Sequence, residues 1–163
     1  MKDMKKVLFP LLAILALTAC GNKENEEEYT DYPPTSTPEI EAQGSYVGTF
    51  TRILANSATA EPESAEGQLI ITASDTAYVA HAQFECEPLG ISAGTVVNIS
   101  FAGKGFVFYN DLPGNTLGSP ISGRISEDRL TQASFQLKIR QGRSTKTFDI
   151  SFSGGKPDSG ESE

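Results

Sequence analysis

From residue 44 onward, apolar and polar side chains alternate with a period of two, which is the pattern of half-buried β-strands. The clearest case is Leu130–Arg140, where every second residue from Ala133 to Ile139 is apolar. Residues that favour turns separate the alternating segments. The pattern predicts eight strands: Tyr46–Leu54, Gln68–Thr72, Ala77–Cys86, Thr95–Phe101, Phe106–Tyr109, Ile121–Ile125, Leu130–Arg140 and Thr145–Phe152.

These strands predict an all-β fold without a helix of useful length. Alternation with one polar face suits antiparallel strands. Most consecutive strands are joined by short connections, and closing the sheet removes its exposed edges. We therefore expect an eight-stranded antiparallel up-and-down barrel, with a β-sandwich as the alternative.

The N-terminus has a different pattern, in which a basic start precedes an apolar run. Lys2, Lys5 and Lys6 are followed by Val7–Leu17, which is apolar apart from a kink at Pro10. That run is shorter than the roughly 20 residues that span a bilayer. A cytosolic core helix is the alternative, but such a helix needs a polar face, and this run has none. The segment is typical of a secretory signal peptide.

Leu17-Thr18-Ala19-Cys20 resembles the lipobox of bacterial lipoproteins. The resemblance implies that residues 1–19 are removed and that Cys20 carries lipid, which holds the protein to a membrane. An ordinary signal peptide is the alternative. Gly21 stands where an aspartate retains many lipoproteins in the inner membrane, so we expect the outer membrane. Lys23-Glu24 and the acids after it resemble the surface-export signal of lipoproteins from Bacteroides-like bacteria, although Asn25 interrupts the acids. The periplasmic leaflet and the cell surface therefore both stay open.

Charge divides the remaining chain into parts. Residues 20–43 hold one basic and seven acidic residues together with three prolines, whereas residues 44–152 hold eight basic and ten acidic residues. A segment so acidic and so poor in apolar residues is expected to remain a flexible tether. We expect a barrel domain at 44–152 and a disordered tail at 153–163. Nucleic acid is not an expected partner, because the charge balance provides no basic surface for phosphates.

The segment Gly44–Phe50 resembles the first strand of calycin-like lipoproteins, which are small lipocalin-type barrels. Ile121–Ile125 running into Leu130–Phe135 resembles the late strands of the same group. Tyr46 stands where true lipocalins carry tryptophan, and the chain has no tryptophan. A barrel of eight strands is wide enough either to be filled by side chains or to hold one small ligand. The candidate residues for binding a small apolar ligand are aromatic: Tyr46, Phe50, Tyr78, Phe84, Phe106 and Phe108.

The sequence offers little catalytic chemistry. Its single histidine, His81, lies on the polar face of its predicted strand, and a metal site needs several converging ligands. Cys86 has no second cysteine in the exported domain, which excludes an internal disulfide. We expect no enzyme activity, no cofactor and no metal site.

A cationic hairpin offers the other candidate surface. It carries Lys138, Arg140, Arg143 and Lys146. These cations suit an acidic protein partner, an anionic glycan or a lipid headgroup, and a solvated polar face is the alternative. Our leading hypothesis is a lipid-anchored module that binds a small apolar ligand. The second is a structural or interaction module with a filled barrel, such as an accessory subunit or adhesin.

Overall fold

All eight predicted strands form. The computed structural model describes residues 36–111 and 115–157, where a short helix and a 3-10 turn accompany the strands. The elements run in the order α1 Pro38–Glu41, β1 Gly44–Leu54, β2 Glu63–Ala73, β3 Val79–Cys86, the 3-10 turn Glu87–Leu89, β4 Ile91–Ala102, β5 Gly105–Asn110, β6 Ile121–Ile125, β7 Leu130–Gln141 and β8 Ser144–Gly155.

The strands close into a ring. Each strand pairs antiparallel with the next one in sequence, and β8 returns to pair with β1. The closing register runs from Leu54 opposite Phe148 to Val47 opposite Gly155. The prediction of an up-and-down arrangement of eight antiparallel strands is confirmed, and the closing pair favours the barrel over the sandwich.

The core lies inside the ring, where alternate residues of each strand meet. Four phenylalanines form its centre: the Phe50 and Phe152 ring centroids are 4.7 Å apart, Phe84 and Phe135 are 4.5 Å apart, and Phe50 meets Phe84 edge to face at 6.5 Å. Full burial of one such side chain contributes about 1.5–3 kcal/mol to folding. Aromatic packing inside the ring is therefore a principal source of its stability.

Several strands are longer than the apolar pattern predicts. β2 begins at Glu63 and not at Gln68, and β4 begins at Ile91 and not at Thr95. The first residues of β2 pair with the far half of β1, where Thr51 and Ser64 also share a hydroxyl–hydroxyl hydrogen bond of 2.8 Å. Backbone pairing with a long neighbour extends these strands beyond the segment that alternates.

Both ends of the predicted domain also extend further. Residues 38–42, assigned to the tether, form α1 and the turn after it, and Ala42 is fully buried. Residues 153–155, assigned to the disordered tail, continue β8 and pair with β1. The rest of the predicted tether and tail, together with the signal peptide and Cys20, lies outside the described residues, apart from the stretches at 36–37 and 156–157.

The ring has two ends, which the connections define. We call the end that carries α1 and the β2–β3, β4–β5 and β6–β7 turns the closed end. The opposite end, with the β1–β2, β3–β4, β5–β6 and β7–β8 connections, we call the mouth. The described part of the chain contains no helix long and apolar enough to cross a bilayer.

Candidate functional site

The aromatic candidates divide between the interior and the surface. Tyr46, Phe50, Phe84, Phe106 and Phe108 lie inside the ring and are at most 3% exposed. Tyr78 was predicted to share their face, but it precedes β3 and is 53% exposed. Its backbone is left-handed, with φ of 64°, and this breaks the alternation that the sequence pattern extends through it.

Three of the interior aromatics leave no water-sized space beside them. Tyr46, Phe50 and Phe84 have no accessible surface, and a side chain that lined a cavity large enough for water would have some. The small inward residues are buried as well, with Ala80 at 0% and Ala82 at 1% exposure. These alanines accommodate the rings around them, as a close-packed core requires.

Gly123 shows how tightly one of these rings fits. It lies opposite Phe108 in the β5–β6 pair. A Cβ atom placed on Gly123 would lie 2.0 Å from Cζ of the Phe108 ring. The ring therefore occupies the volume that any other residue at position 123 would need.

The closed end is sealed by polar contacts from α1. The Tyr46 hydroxyl donates to the Ala42 carbonyl at 2.7 Å, and Arg129 donates to the Glu41 carbonyl at 2.8 Å. Burial raises the pKa of the Tyr46 hydroxyl, and the neighbouring Arg129 opposes that rise through a hydrogen bond and its charge. The Arg129 guanidinium also lies 5.8 Å from the centroid of the Phe106 ring. These contacts orient α1 and leave Tyr46 in a structural position.

Glu39 joins α1 to the loop before β3. Its carboxylate accepts hydrogen bonds from the Thr37 hydroxyl at 2.5 Å and from the Tyr78 backbone N–H at 2.9 Å. Burial by itself would raise the pKa of this carboxyl, but these hydrogen bonds and one from its own backbone N–H lower the pKa below the usual value. A charged Glu39 is thus part of how α1 is held.

A pocket of about 470 Å³ lies at the mouth. Arg52 lines it, 2.5 Å from the Glu63 carboxylate and 5.1 Å from the centroid of the Phe148 ring. Arg52 also donates to the Leu89 carbonyl of the 3-10 turn. The remaining lining residues are Leu54, Ala60, Glu61, Pro62, Gln141 and Lys146.

The alternation of apolar and polar residues does not predict this pocket, although the sequence contains one signal of it. Arg52 falls on the face of β1 that carries Phe50 and Leu54, so it is a cation within an apolar series. A buried cation usually has a carboxylate partner. Its partner, Glu63, lies in the stretch that the pattern predicts to be a loop.

The four cations of the hairpin lie on different faces of it. Lys138 and Arg140 lie opposite Thr147 and Thr145 on the outer wall, Arg143 lies in the β7–β8 turn, and Lys146 lies on the other face of β8 and lines the pocket at the mouth. All four are exposed, and none forms a salt bridge with a carboxylate of the described residues. The hairpin therefore presents unpaired positive charge on more than one side.

A shallow groove of about 740 Å³ crosses the outer wall of β6, β7, β8 and β1. Its floor is a cross-strand row of hydroxyls, which begins at Thr51 opposite Ser151 and continues through Ser134 to Ser122. The hydroxyl oxygens of Ser122 and Ser134 lie 3.4 Å apart, and the Thr51 hydroxyl forms a hydrogen bond with the Ser64 hydroxyl. We interpret this groove as a solvated wall whose hydroxyls are partly satisfied by one another.

His81 and Cys86, the residues considered for metal binding or catalysis, lie on different faces of β3. His81 lies on the exposed face of β3, and Cys86 is buried, with its thiol 3.3 Å from the Glu66 carbonyl. The described residues contain no group of three or more histidine, cysteine, aspartate or glutamate side chains placed to hold a metal ion.

Comparison with known proteins adds no family assignment. No protein-family model matches the chain. No curated protein matches it either.

Proposed function

We propose that this protein is a lipid-anchored interaction module, in which a filled barrel presents its mouth and the β7–β8 hairpin to an acidic partner. The lipid on Cys20, the outer-membrane location and the calycin-like relationship are parts of this proposal and rest on the sequence signals. The observation that carries it is the packing of the interior. Tyr46, Phe50 and Phe84 have no accessible surface, so a ligand inside the ring would have to displace them.

The hairpin extends beyond its neighbours. β1 pairs with β8 only as far as Leu54 opposite Phe148, and β6 pairs with β7 only as far as Ile121 opposite Phe135. Beyond these positions, residues 138–146 pair only with one another along the strands. A projecting hairpin is accessible to a large partner in a way that a residue on the barrel wall is not.

The charges of the hairpin suit an acidic partner. Elsewhere in the described residues, Arg52 is paired with Glu63, and Lys104 is paired with Glu127 at 2.8 Å. The four hairpin cations have no such carboxylate within the described part of the chain. Complementary charge accelerates and orients association. The mouth also lies opposite the closed end, where residues 36–43 enter the barrel and the tether is joined.

We expect a combined Lys138→Gln, Arg140→Gln, Arg143→Gln and Lys146→Gln variant to lose its partner in a pull-down from intact cells. Exposed ion pairs contribute about 0.2–1 kcal/mol each, so loss of all four should lower retention roughly fourfold or more. The measurement is the partner-to-bait ratio after crosslinking, by quantitative mass spectrometry. Capture by the unmodified protein should weaken as ionic strength increases.

The matched control is Lys104→Gln with Arg124→Gln, which removes two cations away from the hairpin and should leave the ratio unchanged. Equal loss in the control would contradict a contact at the hairpin. If the four-site variant still captures the partner and also self-associates more, the cations protect exposed strand edges and do not bind the partner.

A second candidate function uses the pocket at the mouth. Leu54 and Phe148 give it apolar walls, Arg52 and Lys146 give it charge, and about 470 Å³ is within the usual range for small-molecule sites. Glu61 and Glu63 balance these two cations, so such a site would take a small amphipathic molecule with a short apolar portion. Displacement of a fluorescent fatty acid from the mature protein measures this, and we expect Phe148→Ser to weaken binding while Phe101→Ser, at the closed end, does not.

A further inference from the structure

Large exposed apolar side chains gather around the closed end. Ile40 in α1 is 55% exposed, Tyr78 in the β2–β3 turn 53%, Phe101 at the end of β4 42%, and Leu130 at the start of β7 61%. Val47 lies on the outer face near the start of β1 and is exposed as well. On the rest of the described surface, the other large apolar residues that are exposed are Val96 and Tyr109.

Contacts fix the positions of three of these residues around α1. The Glu39 carboxylate accepts from the Tyr78 N–H at 2.9 Å, and the Tyr78 carbonyl accepts from the Ile99 N–H at 2.9 Å. Phe101 follows two residues later, and its ring centroid lies 5.6 Å from that of Phe106. Ile40 is next to Glu39 in α1. Ile40, Tyr78 and Phe101 are therefore held on the framework that seals the barrel.

The backbone at Tyr78 has a conformation that side chains with a Cβ rarely adopt. Its φ of 64° is in the left-handed region. Glu39 helps to hold this conformation through the hydrogen bond to the Tyr78 N–H. Strained conformations persist where the surrounding contacts determine them, and they concentrate at functional positions. Here the result is an aromatic ring directed outward at the closed end.

The chain outside the described residues points to the occupant of this surface. Ser36, the first residue that the structure describes, lies sixteen residues after Cys20 and two residues before α1 at the closed end. Even fully extended, sixteen residues reach at most about 55 Å. A lipid on Cys20 would thus tether the protein by the end that carries the exposed apolar side chains. Tyrosine and other aromatic side chains favour the membrane–water interface.

The charges of the closed end are mixed. Lys104 is paired with Glu127, and Arg129 and Lys156 donate to backbone carbonyls of residues 41 and 43. Glu41, Asp75 and Asp128 are exposed acids at this end. There is no excess of cations to attract acidic lipids. Contact with a membrane would depend on the apolar side chains and would not need an anionic headgroup.

We propose that the closed end rests on the bilayer surface, with Ile40, Tyr78, Phe101 and Leu130 inserted at the interface next to the lipid on Cys20. This inference rests on the lipid anchor of the proposed function. It orients the module, because the mouth and the cationic hairpin then face away from the membrane.

The absence of tryptophan from the chain allows a direct test. Tyr78→Trp places one reporter at the closed end, and Tyr109→Trp places a matched reporter on β5 next to Asn110, at the mouth end of that strand. The mature protein, residues 20–163, is coupled through Cys20 to a maleimide lipid in phosphatidylcholine vesicles brominated near the headgroups. Cys86 is 1% exposed, so coupling should select Cys20.

We expect the vesicles to quench Tyr78→Trp emission roughly twofold and to leave Tyr109→Trp nearly unchanged, since tryptophan at the interface reaches the brominated carbons. Adding phosphatidylglycerol should not change this contrast. Equal quenching at both positions, or none at position 78, would overturn the proposal.

A second set of variants tests whether the other apolar side chains contribute. In the Tyr78→Trp background, Ile40→Ser with Phe101→Ser should reduce quenching, whereas Val96→Ser, which removes an exposed apolar residue on the barrel wall, should not. Quenching unaffected by Ile40→Ser with Phe101→Ser would contradict an inserted patch. Because the lipid is attached chemically, these results do not depend on whether cells modify Cys20, which mass spectrometry of the cellular protein measures separately.

Discussion

Gly123→Ala is expected to destabilise the barrel by about 3 kcal/mol, near the upper end of the usual range for an added methyl group in a packed core. The new Cβ would lie 2.0 Å from Cζ of Phe108, and this ring is 1% exposed within the interior. The ring is packed in the core and β6 is paired with β5 and β7 on its two sides, so relieving the overlap requires one of them to shift. The free energy of unfolding from urea denaturation, followed by circular dichroism, measures the effect.

Two further variants separate this clash from a general effect of removing a glycine. Gly155→Ala is the control, because its Cβ would meet Leu130 at an ordinary 3.5 Å. Phe108→Leu combined with Gly123→Ala should recover part of the loss, since the smaller side chain vacates the overlapping volume. A loss from Gly123→Ala that equals the Gly155→Ala result would refute the fit described for Phe108.

Phe84→Ala is expected to remove about 3–5 kcal/mol of stability and to open an apolar cavity inside the ring. Phe84 has no accessible surface, and its ring packs 4.5 Å from Phe135 and 6.5 Å from Phe50. A cavity lined by such residues stays dry and admits small apolar molecules. The variant should therefore bind benzene or a similar probe that the unmodified protein excludes, which calorimetry or a thermal shift measures.

Phe101→Ala is the matched control, because this ring is 42% exposed and its truncation leaves no enclosed space. If Phe84→Ala unfolds the protein, Phe84→Leu creates a smaller defect and keeps the stability comparison accessible. Strong binding of the apolar probe inside the unmodified barrel would contradict a filled interior and favour a ligand site among the aromatics.

The ring was predictable because each of its strands has one face toward solvent and one toward the core. This difference appears in the sequence as alternating polar and apolar residues. β7 illustrates this, since its predicted and observed starts coincide at Leu130. The first residues of β2 could not be recognised in the same way. Glu63 and Ser64 are held in the sheet by pairing with Arg52 and Thr51, and such pairing leaves no apolar signal in the sequence.

The short helix α1 and the exposed Tyr78 depend on contacts between distant parts of the chain. Acidic residues beside Pro38 resemble a solvated tether, but contacts with Tyr46, Tyr78, Arg129 and Lys156 bring the segment onto the barrel. Tyr78 extends an alternating pattern that its own left-handed backbone interrupts. Neither the docking of α1 nor the outward position of Tyr78 can be predicted from composition, because each depends on a contact with a distant part of the chain.

The candidate surfaces were predictable to different degrees. The sequence placed Lys138, Arg140, Arg143 and Lys146 on one hairpin, and the structure does bring them to that hairpin. The alternation of side chains along a strand already places Lys146 on the other face of the hairpin from Lys138 and Arg140. Counted from the turn, Lys146 and these two residues occupy alternate positions. The mouth pocket needed the fold, because it forms where the ends of β1, β2, β7 and β8 meet.

The pairing of β1 with β8 has a consequence for how the protein is made. Val47 and Gly155 are neighbours in the ring although they lie near opposite ends of the chain. Contacts between such distant positions form slowly, and these await synthesis of the last strand. A chain leaving the ribosome therefore cannot close its ring until β8 has been made, and until then the outer edge of β1 stays unpaired.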